Sequence, residues 1–418
     1  MKSFARAHRG WVPALLAIGA AAPAAATDGY FSSGFGVKNE AVAGAGQAFP
    51  QDSLTIATNP AGLAAVDPSF DAGIDIFLPQ RSATIDQGGI STQFDGNDSK
   101  WFPLPSLGYS YRIDPSLTVG VALYGNGGLN TNYGANPFAR FGAQGSAGVN
   151  LEQAFLSPAV AYTVIPGQTL GLAVNLAWQR FSAKGIGLFS GFSEDPAAVS
   201  NHGNDDTTGA GIRIGWLGEF GPYLKVGASW QSKTQMGKFK NYAGLFANQG
   251  SFDVPATYAL GIAVTPIPAW TVALDWQRIQ YAGVSSVGDD IDSLFAGVPL
   301  GADDGPGFGW RNISVVKLGS GYRLNDQFTL RAGFSVGQQP VQQSQTFFNT
   351  LAPGVVRDHL TLGASWALDS KNELNFEYLH AFRNTVNGQG SIPPAFGGGE
   401  VNVSLEENSI GVGFSHHF

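Results

Sequence analysis

Side chains able to do chemistry are few in this chain, and their placement argues against catalysis. Past the basic start, histidine occurs at His202, His359, His380, His416 and His417, and no nucleophile elbow accompanies any of them. A hydrolase needs a nucleophile, a base and an orienting group within reach of one another. That set is missing, so no enzyme is expected. Asp205, Asp206, Asp289, Asp290, Asp292, Asp303 and Asp304 have the oxygen chemistry for divalent cations. They fall in loop-like stretches, where solvating an outer rim is the simpler role, and no metal or cofactor is expected. Cysteine is absent, which removes disulfides and thiolate metal sites.

The remaining polar groups are informative through their parity. Asn175, Gln179, Arg213, Lys225, Asp275, Gln277, Lys317, Arg323, Arg331, Glu373 and Glu377 alternate with apolar neighbours. Side chains on a strand switch faces at every residue, so these groups share one face of a sheet and the grease has the other. The apolar runs begin with Phe70, Ile74, Ile76 and Leu78, then Leu107, Tyr109, Tyr111 and Ile113, then Leu117, Val119, Val121 and Leu123. They continue through Leu170, Leu172, Val174, Leu176 and Trp178 to Leu360, Leu362 and Trp366. The chain ends on Ile410, Val412, Phe414 and Phe418, a run that stops on a terminal aromatic. About fourteen such segments of roughly ten residues can be counted, the length a tilted strand needs to cross a bilayer.

The connections alternate in length. Asp114-Pro115, Pro166-Gly167, Gly221-Pro222, Pro266-Ile267-Pro268, Asn325-Asp326 and Asp369-Ser370 are tight turns. Between them lie long stretches such as Pro79–Pro105, Asn126–Glu152, Lys184–Thr207 and Tyr281–Gly309. Short turns on one rim and long loops on the other describe an outer-membrane barrel. A charge on its lipid face costs about 2–4 kcal/mol at midplane, which assigns the polar set to the lumen. There it is expected as a stiffening salt-bridged network, with a ligand-carboxylate role open for Arg331 or Lys317.

Composition agrees. Only 13% of residues are charged, against about 25% in ordinary soluble domains. No stretch after the leader offers 18 uninterrupted apolar residues, so helical spans are excluded. Lys2, Arg6 and Arg9, the apolar run from Trp11 to Ala22, and Ala24-Ala25-Ala26 read as a signal peptide over residues 1–26. Its removal takes three cations and no acids, leaving 20 Lys+Arg against 31 Asp+Glu, a net charge of −11. An acidic chain without a basic stripe argues against nucleic-acid partners.

Residues 27–66 break the alternation. They hold Tyr30-Phe31-Ser32-Ser33-Gly34-Phe35-Gly36, Ala43-Gly44-Ala45-Gly46 and Thr58-Asn59-Pro60-Ala61-Gly62-Leu63. Phe31, Phe35, Phe49 and Leu54 would lie uncovered in water as a tail, so the segment is expected inside the barrel as a plug, with residues 67–418 forming the wall.

At this point the chain resembles the FadL/TodX-like outer-membrane channels for long-chain fatty acids and hydrocarbons. The likeness rests on Ser32-Ser33-Gly34-Phe35-Gly36, Asn59-Pro60-Ala61 and Leu104-Pro105-Ser106-Leu107-Gly108-Tyr109. Trp310-Arg311-Asn312-Ile313, Thr329-Leu330-Arg331-Ala332-Gly333-Phe334 and Arg357-Asp358-His359 extend it over the whole mature chain. The resemblance implies an all-β fold, a transmembrane antiparallel β-barrel of about 14 strands whose lumen is plugged by an N-terminal hatch. It also implies a ligand pocket beside the hatch, for which Phe31, Phe35, Asn59, Pro60, Ala61, Arg331 and Lys317 are the candidates. A kink in the third strand would open the wall, and Gly125-Asn126-Gly127-Gly128-Leu129 has the glycines for a bulge.

Two long loops carry apolar side chains suited to capture: Leu188, Phe189 and Phe192 in one, Tyr242, Leu245 and Phe246 in the other. The expected function is passive uptake of hydrophobic compounds: loop capture, a hatch-gated pocket, then lateral release. The expected partners are a hydrophobic small-molecule ligand, outer-membrane lipid and lipopolysaccharide, and the barrel-assembly machinery, with the chain a monomer. A general or aromatic-hydrocarbon porin, or a non-transporting structural or adhesin barrel, is the alternative.

Overall fold

The computed structural model describes residues 27–418, so the leader expected at 1–26 lies outside the described residues. Fourteen antiparallel strands form the wall: β1 Ser69–Gln87, β2 Phe102–Asp114, β3 Leu117–Tyr133, β4 Ala147–Ile165, β5 Gln168–Lys184, β6 Asp205–Phe220 and β7 Leu224–Gln231. The second half comprises β8 Thr257–Ile267, β9 Trp270–Ile279, β10 Ile313–Arg323, β11 Phe328–Gly337, β12 Asp358–Ala367, β13 Asn372–Val386 and β14 Glu400–His417. Each pairs with the next, and β14 returns to β1 in an unbroken register from Glu400↔Asp86 to His417↔Ser69. The cylinder is therefore closed, with every strand paired on both sides over at least part of its length.

Parity does what the sequence implied. Ile74, Leu107, Leu172, Ile214, Leu260, Leu318, Leu362 and Ile410 are among the many large apolar side chains left exposed all round the outside. In water such a belt would be a strong association surface; against acyl chains it costs nothing. No helix among the described residues is long and apolar enough to cross a membrane. The terminal aromatic clasps the seam: Phe418 donates its backbone N–H to Pro68 O (3.1 Å) and its ring lies 5.5 Å from that of Tyr109.

Tight turns fall where expected. In the β2–β3 turn Asp114 accepts from Ser116 Oγ (2.7 Å) and from the backbone N–H groups of Ser116 (2.8 Å) and Leu117 (3.0 Å). These bonds hold its carboxyl below the usual carboxylate range, the Ser116 side chain contributing most.

On the other rim the structure is more regular than the sequence reading allowed. Pro79–Pro105 is not a plain loop: β1 runs on to Gln87, turns through Gly88-Gly89 and returns as Ile90–Asp95. Likewise Asn126–Glu152 is largely strand, since β3 reaches Tyr133 and β4 starts at Ala147. Beyond the bilayer a ladder needs no lipid-facing apolar residue, so apolar alternation stops before the strands do.

Residues 27–66 contain two-residue strands at Thr27–Asp28 and Phe31–Ser32, a helical turn α1 at Val37–Glu40 and two 3-10 segments. Nearly all of it is buried. It bonds to inward-facing groups around the ring: Asp71 on β1, Asp275 on β9, Thr361 on β12 and Glu407 on β14. The two sides of the cylinder are reached by one short segment, which places it in the bore.

Candidate functional site

Among the described residues, the longest break in the wall's ladder falls between neighbours in sequence. Strands β2 and β3 pair from the turn only as far as Leu107↔Leu123, although β3 continues for ten more residues. Above that point Phe102–Ser106 of β2 pairs with β1 alone, and Tyr124–Thr131 of β3 keeps β4 on one side. β2 and β3 do not rejoin; the outer end of β3 instead meets the connection after Ile90–Asp95, where Asn132 donates its N–H to Gly96 O (3.0 Å) and its carbonyl accepts from Asp98 N (3.1 Å).

Three sequence features build this window. Pro103 and Pro105 lack N–H groups, and proline within a strand belongs at an edge. The β3–β4 register shifts between Gly125 and Gly127, with Asn126 as the extra residue. Asn126 is buried and its Nδ2 donates to Gln153 Oε1 (3.3 Å). Gly127 has φ 153° and is paired with Phe31, and Gly128 N donates to Tyr30 O (3.0 Å). A Cβ on Gly127 would stand 1.8 Å from Tyr30 O. Glycine is therefore required for the N-terminal segment to occupy the edge that β2 has left.

Behind the window is a cavity lined in part by Gly128, Leu129, Phe77 and Gly29, with room for water-sized molecules of about 30 Å³. A second cavity, deeper in the bore, is lined by Phe31, Phe35, Lys317, Arg213, Asn39 and Asp275 among others. It has room for water-sized molecules of only about 30 Å³, one or two waters. Phe35 packs edge-on against Tyr124 with centroids 4.9 Å apart and lies 5.9 Å from the Arg213 guanidinium carbon.

Of the residues expected in the pocket, Phe31, Phe35 and Lys317 line this cavity together. Both cationic candidates are engaged by the N-terminal segment: Lys317 Nζ reaches Asp28 (3.2 Å) and donates to Ser33 O (2.6 Å), and Arg331 donates to Gln51 (2.8 Å) and Ser365 (2.6 Å). The inward charges thus tie wall to segment more than wall to wall; Lys38 with Glu373 at 2.7 Å is another such pair. Asn59, Pro60 and Ala61 sit lower, where Asn59 Nδ2 donates to Gln47 O (2.8 Å) and Trp216 O (2.9 Å) and its Oδ1 accepts from Ala61 N (3.1 Å). Asn59 caps the segment that Pro60 opens, and its side chain fastens that segment to β6 rather than lining the cavity.

The outer loops close over the bore with aromatic rings. Phe189 stacks edge-on with Phe138 and Phe348, and Phe246 with Phe181 and Phe252. Phe189, Leu245 and Phe246 line a groove together with Leu300, Phe308, Phe348 and Leu351. Those four come from the 280–312 and 338–357 loops, beyond the two loops expected to carry the groove. Leu188 and Phe192 pack around the rim, while Tyr242 is buried and donates to Gly203 O (2.6 Å). Tyr30 joins this roof to the bore through Tyr281 and Trp310, at centroid distances of 5.3 and 5.8 Å. Burial pushes both phenols, Tyr30 and Tyr281, well above their usual range.

Comparison with known proteins fits this architecture. Residues 18–418 match the family model for outer membrane protein transport proteins (OMPP1/FadL/TodX). A Neisseria meningitidis serogroup B sequence described as an outer-membrane protein is 21% identical, with 97% of each chain covered. The Pseudomonas putida toluene transporter TodX superposes with a TM-score of 0.70 at 19% identity, covering 92% of this chain and 99% of that one. A Pseudomonas aeruginosa FadL homologue gives 0.70 at 15% (93% and 100%), and the Ralstonia pickettii toluene transporter TbuX 0.65 at 20% (92% and 99%). With its closed fourteen-strand barrel and a family match that runs to the last residue, this chain belongs to the OMPP1/FadL/TodX family of outer-membrane transport proteins, which are channels and not enzymes.

Proposed function

We propose that this protein takes up hydrophobic compounds passively, long-chain fatty acids or related lipophiles, with residues 27–66 acting as a hatch in a barrel of residues 67–418. Ligand is captured in the groove of Phe189, Leu245 and Phe246, passes to the cavity beside Phe31 and Phe35, and leaves sideways at Gly125–Leu129. Each methylene returned to water costs about 0.8 kcal/mol, so a dry route ending in the bilayer suits an acyl chain. A water-filled pore does not. Partners in this reading are the ligand, the surrounding lipid and lipopolysaccharide, and the machinery that inserts barrels.

One observation carries the proposal: Phe31, which lines the inner cavity, also pairs with Gly127 on the parted edge of β3, beside the bond from Gly128 N to Tyr30 O. A single displacement of that strand would enlarge the cavity and uncover the window together. The small free volume beside Phe31 supports a closed resting state that must open for ligand.

The test is uptake of labelled oleate and of toluene by cells lacking other such channels, with and without this chain, and with Gly125, Gly127 and Gly128 replaced by valine. Uptake that depends on the chain and falls at least tenfold in the variant is expected. Unchanged uptake in the variant removes the side exit. Large steady ion currents from the wild-type protein in planar bilayers would favour a general porin instead.

A further inference from the structure

Three carboxylates meet where the N-terminal segment touches the wall. Glu40 ends α1, Asp75 lies on β1 and Glu377 on β13, and one oxygen from each lies within 4.8 Å of the others. Asp75 and Glu377 are cross-strand partners of one residue, Gly411 on β14. A Cβ at Gly411 would sit 2.0 Å from Asp75 Oδ1 and 3.0 Å from Glu377 Oε1. The glycine thus leaves the space into which both carboxylates turn.

These groups have no cationic partner. Lys38, the nearest lysine in sequence, is paired with Glu373, and no ion pair among the described residues involves Glu40, Asp75 or Glu377. Glu377 is 4% exposed and Asp75 2% exposed, and apart from each other and Ser409 neither oxygen of Glu377 nor Oδ1 of Asp75 has a hydrogen-bond partner. Beside Glu377, within its hydrogen-bonding reach, is an oxygen that is not acidic at all: the hydroxyl of Ser409, 1% exposed and with no other partner. Three buried carboxylates cannot all be ionised at this spacing without a compensating charge.

We propose that Glu40, Asp75, Glu377 and Ser409 form a calcium site that bolts α1 to the barrel wall. The donor set is all oxygen, which suits a hard cation. Opposite oxygens in a calcium shell are about 4.6–5.2 Å apart, and the three carboxylates fit within that span. Magnesium keeps several waters and a tighter octahedron of about 4.1 Å across, which this dry, protein-walled site does not favour. Calcium bridges the segment and three strands, β1, β13 and β14, and so raises the cost of moving α1. The site stands on its own geometry whether or not the chain carries fatty acids.

The experiment uses the full mature protein in detergent, stripped with a chelator and titrated with calcium chloride by calorimetry. One calcium per chain is expected, with affinity at least tenfold weaker in Glu377→Gln and in Asp75→Asn and weaker again for magnesium. Binding that is absent, or unchanged in either variant, overturns the site; the latter would mark the surface acids as the ligands, and the former a proton shared among the carboxyls. Hydrogen exchange on the unmutated protein guards against variants that fail to fold. Amides of residues 37–46 are expected to slow at least tenfold with calcium, and equal rates with and without it overturn the proposal.

Discussion

Two junctions in the same wall behave in opposite ways. Strands β14 and β1 are the farthest apart in sequence, yet their register runs unbroken over eighteen residue pairs, from Glu400↔Asp86 to His417↔Ser69. Strands β2 and β3 are joined by a two-residue turn and part after Leu107↔Leu123. Closing the long-range seam stabilises the barrel by removing its last edge. Where the short-range hairpin parts, the N-terminal segment pairs with β3 in place of β2, Phe31 against Gly127. Proximity in sequence decides neither case; prolines, a bulge and Gly127 do.

The sharpest way to break the contrast is to take away what holds the segment at the parted junction. Lys317 and Asp28 are 5% and 1% exposed in their side chains and 3.2 Å apart. Lys317→Met leaves Asp28 buried without its cation, a loss of about 3 kcal/mol by analogy with other buried pairs cut on one side. Residues 27–34 should then be cleaved rapidly by added protease while the barrel stays intact on a gel. Equal protease resistance in variant and parent would mean the pair does not hold the segment.

Next in size is Gly127→Val. Its φ of 153° and the 1.8 Å approach to Tyr30 O allow no side chain without displacing the segment. Strain of this kind costs about 1–3 kcal/mol. Protease sensitivity should rise near Tyr30, and hydrogen exchange should speed up at Gly128 N, which now donates to Tyr30 O. The seam residues Val401–Val412 should exchange as before. If they change too, the two junctions are coupled and the contrast is lost.

Asn59→Ala probes the lower end of the same segment. It removes the donor to Gln47 O and Trp216 O and the acceptor of Ala61 N in a site that is fully buried. Unsatisfied buried groups cost about 1–3 kcal/mol, so a lower unfolding temperature is expected, with the window left unaltered. Protease cleavage at Tyr30 equal to that of Gly127→Val would contradict a plug fastened separately at its two ends.

The wall was legible in the sequence because its physics is one-dimensional. Lipid demands an apolar residue at every second position, and Leu170 to Trp178 or Ile410 to Phe414 state that plainly. All fourteen strands were marked this way. Their outer ends were not, since Ser82–Gln87 and Asn130–Tyr133 lie beyond the need for grease. The window was half legible: the glycines at 125, 127 and 128 pointed to a bulge, while Pro103 and Pro105 carried the unread message that β2 has an open edge. Lumen pairing was the least readable. Lys317, Arg331 and Glu373 were recognisable as inward, but their partners Asp28, Gln51 and Lys38 lie hundreds of residues away in a segment without periodicity. The groove was similarly incomplete, because Leu300, Phe308, Phe348 and Leu351 reach it from two further loops.

The smallest effect belongs to the seam, and it sets the scale for the rest. Val412→Ala removes two methyl groups from the lipid-facing side of β14, at a residue 46% exposed and paired through its backbone with Ile74 and Phe376. Those methyls lie against acyl chains in the parent and are replaced by acyl chains in the variant, so neither a cavity nor newly wetted surface results. The backbone ladder is untouched. A change of under about 0.5 kcal/mol is therefore expected in the unfolding free energy in bilayers, the range of surface substitutions away from special features. A drop as large as that of Asn59→Ala would show that the seam depends on side-chain packing rather than on its continuous ladder, and the two junctions would then differ less than their registers suggest.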